Sequence, residues 1–184
     1  DQREAVEEVR TALAEDGHDL TLLHGVETNI TADGGLSTPD DLLEELDIVV
    51  AAPHAALGQG RVEATERLVA AIEHPETDIL GHPTGRLINQ RPGLSPDFDQ
   101  LAEAAADAGT ALELNANPHR LDLPDTAVRV AVEAGAQVAI NTDAHRPGAF
   151  AERRFGVHTA RRGWAETDDV LTARDLDGVR AFLE

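Results

Sequence analysis

Residues 47–54 read DIVVAAPH, and residues 78–83 read DILGHP. Each stretch is a short apolar run followed by a histidine that adjoins a proline, which is typical of a strand that ends where the chain turns.

Comparable apolar runs recur at residues 20–23, 111–114 and 137–140. Successive runs begin roughly 26 to 33 residues apart, the length of one strand plus one helix and its loops. Helical patterns fill the intervals, at residues 4–15, 61–72, 96–108, 125–134 and 168–183. The chain therefore predicts an α/β fold whose parallel sheet is buried on both faces.

Five potential metal ligands follow the apolar runs: Glu27, His54, His82, Asp143 and His145. An open doubly wound sheet usually binds its ligand at one switch point, whereas the strand ends of a barrel all converge on its mouth. Because several runs each end in a ligand, the pattern favours a βα barrel. The carboxylate of Glu27 could bridge two cations. Asp143 and His145 are two residues apart, so on an extended segment both point to one face.

Four further polar residues near these positions are candidates for substrate binding. Arg86 could bind a phosphate through two hydrogen bonds or could close a loop, and Arg120 has the same two interpretations. Asn115 and Asn117 could contact substrate or support the ligands, or they could cap a turn. Trp164 is interpreted as a packing residue rather than as a base-stacking one.

The composition excludes several classes of protein. The 184 residues contain no cysteine, which excludes disulfides, thiolate zinc sites and cysteine nucleophiles. No apolar stretch approaches the roughly 18 residues of a membrane span, and the N-terminus is no signal peptide. The net charge is −20 and all 15 basic residues are arginine, which favours adaptation to high salt. We expect one domain over residues 1–184, without a membrane segment and cytoplasmic.

Longer motifs resemble one family. GVETNI, DILGHPTGRL, ALELNANPHRLDL, NTDAH and RFGVHTARRGW are similar to the PHP (polymerase and histidinol phosphatase) domain. They are most similar to the version at the C-terminal end of bacterial and archaeal family X DNA polymerases, over residues 20–183. The resemblance implies a distorted (β/α)7, TIM-like barrel that holds up to three Zn²⁺ or Mn²⁺ ions. It also implies that Glu27 is a bridging ligand, that His54, His82, Asp143 and His145 are ligands, and that no catalytic side chain is needed beyond them.

The same resemblance implies a metal-dependent phosphoesterase. Its activity would be 3′–5′ exonuclease cleavage or DNA 3′-end processing in repair, with DNA 3′ ends as substrate and a polymerase domain of the same parent chain as partner. Two alternatives stay open: a small-molecule phosphatase of the histidinol-phosphatase type, and a non-catalytic PHP remnant. Amidohydrolases that use a carboxylated lysine are excluded, because the chain has no lysine.

The N-terminus suggests an incomplete domain. The chain starts at Asp1 within a helical pattern and without a methionine. The family's early His-x-His, a nearby Asp and a further His would then lie before Asp1. We therefore expect an incomplete barrel that lacks its N-terminal strands and exposes a sheet edge, with weak metal affinity and little activity in the segment alone.

Overall fold

Five parallel strands form a single sheet in the computed structural model, which describes residues 2–184. The strands are β1 (Gly25–Asn29), β2 (Ile48–Ala52), β3 (Ile79–Leu80), β4 (Ala111–Asn115) and β5 (Val138–Asn141). They lie in the order β1-β2-β3-β4-β5, so that each strand pairs with the next one along the chain. This arrangement confirms the α/β class and the parallel sheet, and it is compatible with part of a βα barrel.

Seven α-helices occur among residues 2–184. They are α1 (Gln2–Glu15), α2 (Asp40–Leu43), α3 (Arg61–Ile72), α4 (Phe98–Ala108), α5 (Asp125–Ala134), α6 (Arg153–Arg162) and α7 (Leu176–Leu183). Short 3₁₀ segments lie at Pro147–Glu152, Thr167–Asp169 and Leu171–Ala173. None of the helices in this part of the chain is both long and apolar enough to cross a membrane.

The predicted bounds of α3 and α5 are confirmed, whereas α4 begins later than predicted. The first turn of α4 starts at Phe98, and the carboxylate of Asp97 caps it by accepting a hydrogen bond from the main-chain N–H of Gln100. Gly109 ends α4 with a φ of 78°, a left-handed conformation that glycine adopts without steric cost.

The two faces of the sheet pack against different elements. One face packs against helices α3 to α6 in the main core, which includes Leu68, Leu80, Leu101, Leu112 and Val128. Alternate strand residues point to the other face. There, an apolar cluster of Ile79, Ala111, Ala139 and Leu171 packs against Val179 and Phe182 of α7. The buried Glu113, two residues beyond Ala111, lies on this second face.

The strand predicted at residues 20–23 is wrong. This segment has no regular structure, Leu20 is 64% exposed, and the first strand begins later at Gly25. Gly25 meets β2 so closely that a Cβ there would lie 2.5 Å from a side-chain carbon of Ile48. Consequently Glu27 lies within β1 rather than at its end, opposite Val50 of β2. The predicted domain start, Asp1, lies outside the described residues.

Candidate metal centre

Glu27, His54 and His82 meet in one group, with one potential ligand atom of each lying within 4.8 Å of the others. The Oε1 atom of Glu27 lies 2.9 Å from Nε2 of His54 and 3.1 Å from Nε2 of His82. The two imidazole rings meet edge to face, with centroids 5.2 Å apart. Three strands therefore contribute to one cluster of two nitrogen ligands and one oxygen ligand, which Zn²⁺ accepts readily.

Neighbouring strands fix the main chain of both histidines. The main-chain N–H of His54 donates to Oδ1 of Asn29 at 3.2 Å, and that of His82 donates to Oε2 of Glu113 at 2.6 Å. His82 also adopts a positive φ of 25°, which non-glycine residues rarely adopt. A strained backbone of this kind persists only where surrounding contacts hold it in place, and such positions cluster at functional sites.

The electrostatics of the cluster keep Glu27 ionised. The hydrogen bond from His82 lowers the pKa of Glu27 and outweighs its partial burial. Burial alone would lower the pKa of His82, but the hydrogen bond to Glu27 and the nearby Glu113 carboxylate raise it overall. The cluster thus presents a deprotonated carboxylate between two imidazoles without a metal ion.

Two buried acids near the cluster were not singled out from the sequence. Glu113 is 5% exposed and Asp122 is fully buried, and burial raises the pKa of both carboxyl groups. Glu113 Oε1 accepts a hydrogen bond from the side chain of Asn141 at 3.0 Å. Asp122 accepts from the hydroxyl of Thr84 at 2.8 Å. The sequence does contain a signal for Glu113, because this acid interrupts the apolar run LELN. An acid at such a position can be buried only if it has a hydrogen-bond or charge partner.

Asp143 and His145 lie outside the three-residue group among the described residues. The Asp143 side chain is 20% exposed, whereas the His145 side chain is 86% exposed. The backbone of Asp143 has a φ of 51°, in the left-handed region. The two residues contact each other, because Nδ1 of His145 lies 2.8 Å from the main-chain oxygen of Asp143. Their role as metal ligands stays a prediction.

The two candidate arginines differ in their surroundings. Arg86 donates to the main-chain oxygens of Arg120 and Leu121, which is the loop-closing arrangement that the sequence left open. The Nε of Arg120 lies 3.8 Å from Oδ2 of Asp143, and its charge acts against protonation of His82. The Nη1 atom of Arg120 is buried and has no hydrogen-bond partner among residues 2–184. Arg120 is therefore the better placed of the two for binding an anion.

Asn115 and Asn117 both stabilise the turn after β4. Oδ1 of Asn115 accepts from the main-chain N–H of Asn117 at 3.1 Å, and Oδ1 of Asn117 accepts from that of His119 at 2.9 Å. Asn115 is fully buried, and its amide nitrogen lies 3.5 Å from Oε2 of Glu113. Both residues therefore cap the turn after β4. Asn115 also contacts Glu113, which accepts the hydrogen bond from the main chain of His82.

Comparison with known proteins identifies several to which this chain is similar in sequence. No family profile matches the chain. The chain is 46% identical to the DNA polymerase/3′-5′ exonuclease PolX of Bacillus subtilis over 173 residues, which is 94% of this chain and 30% of that protein. It is 27% identical to a probable phosphatase of Thermoanaerobacter sp. over 90% of this chain and 69% of that protein. It is 35% identical to a probable phosphatase of Syntrophotalea carbinolica over 52% of this chain and 39% of that protein. The chain is thus similar along nearly its whole length to a segment that makes up less than a third of a polymerase-exonuclease, and it is also similar to proteins named as probable phosphatases.

Proposed function

We propose that this chain is a metal-dependent phosphoesterase domain of the PHP type that hydrolyses DNA 3′ ends as part of a family X DNA polymerase. The observation that carries the proposal is the Glu27–His54–His82 cluster, in a chain that is 46% identical over 94% of its length to a polymerase with a named 3′-5′ exonuclease activity. Within this proposal, residues 1–184 form one segment of a PHP barrel.

The residues of the cluster fit a divalent cation. Both imidazole Nε2 atoms point at the same carboxylate oxygen, so in the absence of a metal a proton must lie in at least one of the two contacts. A cation replaces such protons when it binds. Zn²⁺ and Mn²⁺ both accept this mixture of nitrogen and oxygen ligands. When bound, the cation would lower the pKa of a water molecule and neutralise charge on the phosphate oxygens.

Residues of this chain would bind the metal and the phosphate of the substrate. Glu27, His54 and His82 would hold metal, and Asp143 with His145 would add further ligands. The free Nη1 of Arg120 would bind a non-bridging oxygen of the phosphate, because a buried guanidinium nitrogen without a partner is stabilised by an anion. No side chain is required as a nucleophile.

The proposal is tested by metal binding and by cleavage. The wild-type chain should bind Zn²⁺ or Mn²⁺ in a calorimeter with the weak affinity expected of this segment, and it should slowly shorten a 5′-labelled single-stranded oligonucleotide stepwise from its 3′ end. Substitution of His82→Ala should weaken metal binding by more than tenfold and abolish cleavage, as should Asp143→Ala and His145→Ala. The matched control is His18→Ala, which removes an exposed histidine after α1. Equal metal affinity in His82→Ala and His18→Ala would refute the metal site.

A second candidate is a phosphatase that acts on small phosphate monoesters. It is favoured by the relative from Thermoanaerobacter sp., because this chain covers 69% of that probable phosphatase but only 30% of the polymerase. The two functions separate in a competition assay that contains a phosphate monoester and an oligonucleotide with a 3′-hydroxyl. A higher kcat/KM for the monoester would support the phosphatase and contradict the exonuclease.

A further inference from the structure

Helix α6 carries an unusual concentration of positive charge. Four arginines lie within its ten residues, in a chain with 15 basic residues and a net charge of −20. They are Arg153, Arg154, Arg161 and Arg162, and all four are exposed. In an acidic protein, such a local concentration of positive charge attracts a partner of opposite charge.

Most of this charge is not neutralised within the chain. Arg162 pairs with Asp125 at 2.7 Å, but no carboxylate among residues 2–184 lies within 4.0 Å of the guanidinium of Arg153, Arg154 or Arg161. Arg154 instead covers the ring of Phe155, 4.8 Å from its centroid.

The exposed residues of α6 form one continuous stripe. Arg154, Val157, His158 and Arg161 are spaced at i, i+3, i+4 and i+7, so they share one side of the helix. All four are exposed, whereas Gly156 and Ala160 on the opposite side are buried. The stripe therefore points away from the core along the full length of α6.

Trp164 extends the stripe with an aromatic surface. It is 66% exposed, which corrects the interpretation of Trp164 as a packing residue. Its φ of 64° is a left-handed conformation that a bulky side chain rarely adopts at a helix end. The guanidinium of Arg129 lies over the indole, 3.9 Å from its centroid, and leaves the rest of the ring accessible.

Close packing places α6 at the carboxyl end of the sheet. A Cβ on Gly156 would lie 2.9 Å from Cβ of Ala116, the residue that follows β4, and one on Gly163 would lie 2.7 Å from the main-chain oxygen of Asp125, at the start of α5. Both contacts lie where the chain leaves the carboxyl end of β4. The loops that carry His54, His82 and Asp143 leave the sheet at the same end.

We propose that the stripe of Arg154, Val157, His158 and Arg161, together with Trp164, is a docking surface for single-stranded DNA. The arginines would bind successive phosphates, and the indole would stack on a base without regard to sequence. Charge complementarity favours this polyanion, and the aromatic end of the stripe favours an unpaired strand over a duplex. The inference rests on the proposed function, because it supplies the path along which a strand reaches the metal centre.

The test measures binding without hydrolysis. The affinity of the 184-residue chain for a fluorescent oligothymidylate is followed by anisotropy across a salt series, in the presence of a chelator. The variant Arg154→Ala/Arg161→Ala should bind about tenfold more weakly. Its salt slope should fall by about 1.4, from about 0.7 for each of two phosphate contacts. Trp164→Ala should weaken binding at least about fivefold and leave the salt slope nearly unchanged.

A charge-matched control makes the result specific. Arg3→Ala/Arg180→Ala removes two exposed arginines from α1 and α7, and its affinity and salt slope should equal those of the wild type. Equal losses in the two double variants, or no oligonucleotide binding by the wild type, would overturn the inference. So would a loss of self-association in Arg154→Ala/Arg161→Ala by sedimentation, since the stripe would then bind protein. Circular dichroism and thermal melting of each variant exclude unfolding as the cause.

The inference and the proposed function fail separately. If cleavage of a dinucleotide depends on metal but the stripe variants bind DNA like the wild type, only the docking surface is wrong. If the stripe binds DNA but no phosphoester is cleaved with either metal, only the proposed function is wrong.

Discussion

Arg67 connects the segment that follows β1 with the loop that carries His54, and its removal should loosen both. The side chain is 2% exposed on α3. It donates to the main-chain oxygens of Ile30, which follows β1, and of Ala55, which follows His54. It also donates to the side chain of Gln59 at 3.0 Å. The substitution Arg67→Met keeps most of the side-chain volume and removes all three hydrogen bonds.

The expected loss of stability follows from the groups left behind. Leaving the buried carbonyl of Ile30 without a donor costs about 1–3 kcal/mol, and losing the hydrogen bonds to the exposed Ala55 and to Gln59 costs about 0.5–1.5 kcal/mol each, so the gross loss is about 2–6 kcal/mol. Part of this loss is regained, because burial lowers the pKa of Arg67 and so disfavours its charged form. We therefore expect the free energy of unfolding to fall by about 2–3 kcal/mol, which corresponds to a drop in Tm of about 4–12 °C in a chain of this size.

Urea unfolding measures the change, and a second arginine of the same helix provides the control. Arg61 pairs with Asp97 at 2.8 Å, but its side chain is 64% exposed, so Arg61→Met should cost less than about 1 kcal/mol. Arg67→Met should also weaken metal binding, since the main chain beside His54 loses its support. A variant at Arg67 that is as stable as the wild type would show that the two carbonyls find other donors, and it would refute the reasoning.

Three further predictions concern the metal, the pH dependence and the packing of α6. Zn²⁺ or Mn²⁺ at about 100 times its Kd should stabilise the chain by about 2.7 kcal/mol in thermal melts, and His82→Ala should abolish this shift. Burial raises the pKa of Asp78, so the stability that this group contributes is present below its unfolded pKa of about 3.9 and is lost as pH rises through its folded pKa. Asp78→Asn, which keeps an acceptor for the main-chain N–H of Val49, should therefore gain stability relative to the wild type as the pH rises above about 3.9; a difference that is constant with pH would contradict this. Gly156→Ala places a Cβ 2.5 Å from a side-chain carbon of Ile140, and overpacking of about 1–3 kcal/mol should exceed the helix-propensity gain of about 1 kcal/mol, as measured by urea unfolding.

The parts of the fold that the sequence predicts are those with local signals. The bounds of α3 and α5 follow from apolar spacing, and in α5 from the glycine that ends it. His54 and His82 were recognisable because each follows an apolar run beside a proline, and the structure brings them together with Glu27. Parallel strands deliver such residues to the same end of a sheet, so strand order need not be known to predict that they meet.

The parts that failed depend on long-range contacts. Residues 20–23 are more apolar than Gly25–Asn29, yet the latter form β1, because Gly25 permits close approach to Ile48 and Glu27 faces the histidines. The exposed arginines of α6 give its sequence no clear apolar period, so the sequence does not predict this helix. Glu113 is recognisable in the sequence as an acid within an apolar run, but its partner could not be predicted, because the main-chain N–H of His82 that donates to it lies 31 positions away in sequence.

The hydrogen bond from the main-chain N–H of His82 to Glu113 fixes the position of a candidate metal ligand independently of the loop that follows it. Glu113 lies on β4, the neighbour of β3. The pairing of these two strands therefore sets the position of the His82 main chain, from which the imidazole projects. The loop after His82 could then change in length or sequence while the candidate metal ligand stays in place. Substrate choice could diversify by exchange of this loop between homologues, with the metal chemistry inherited from the sheet.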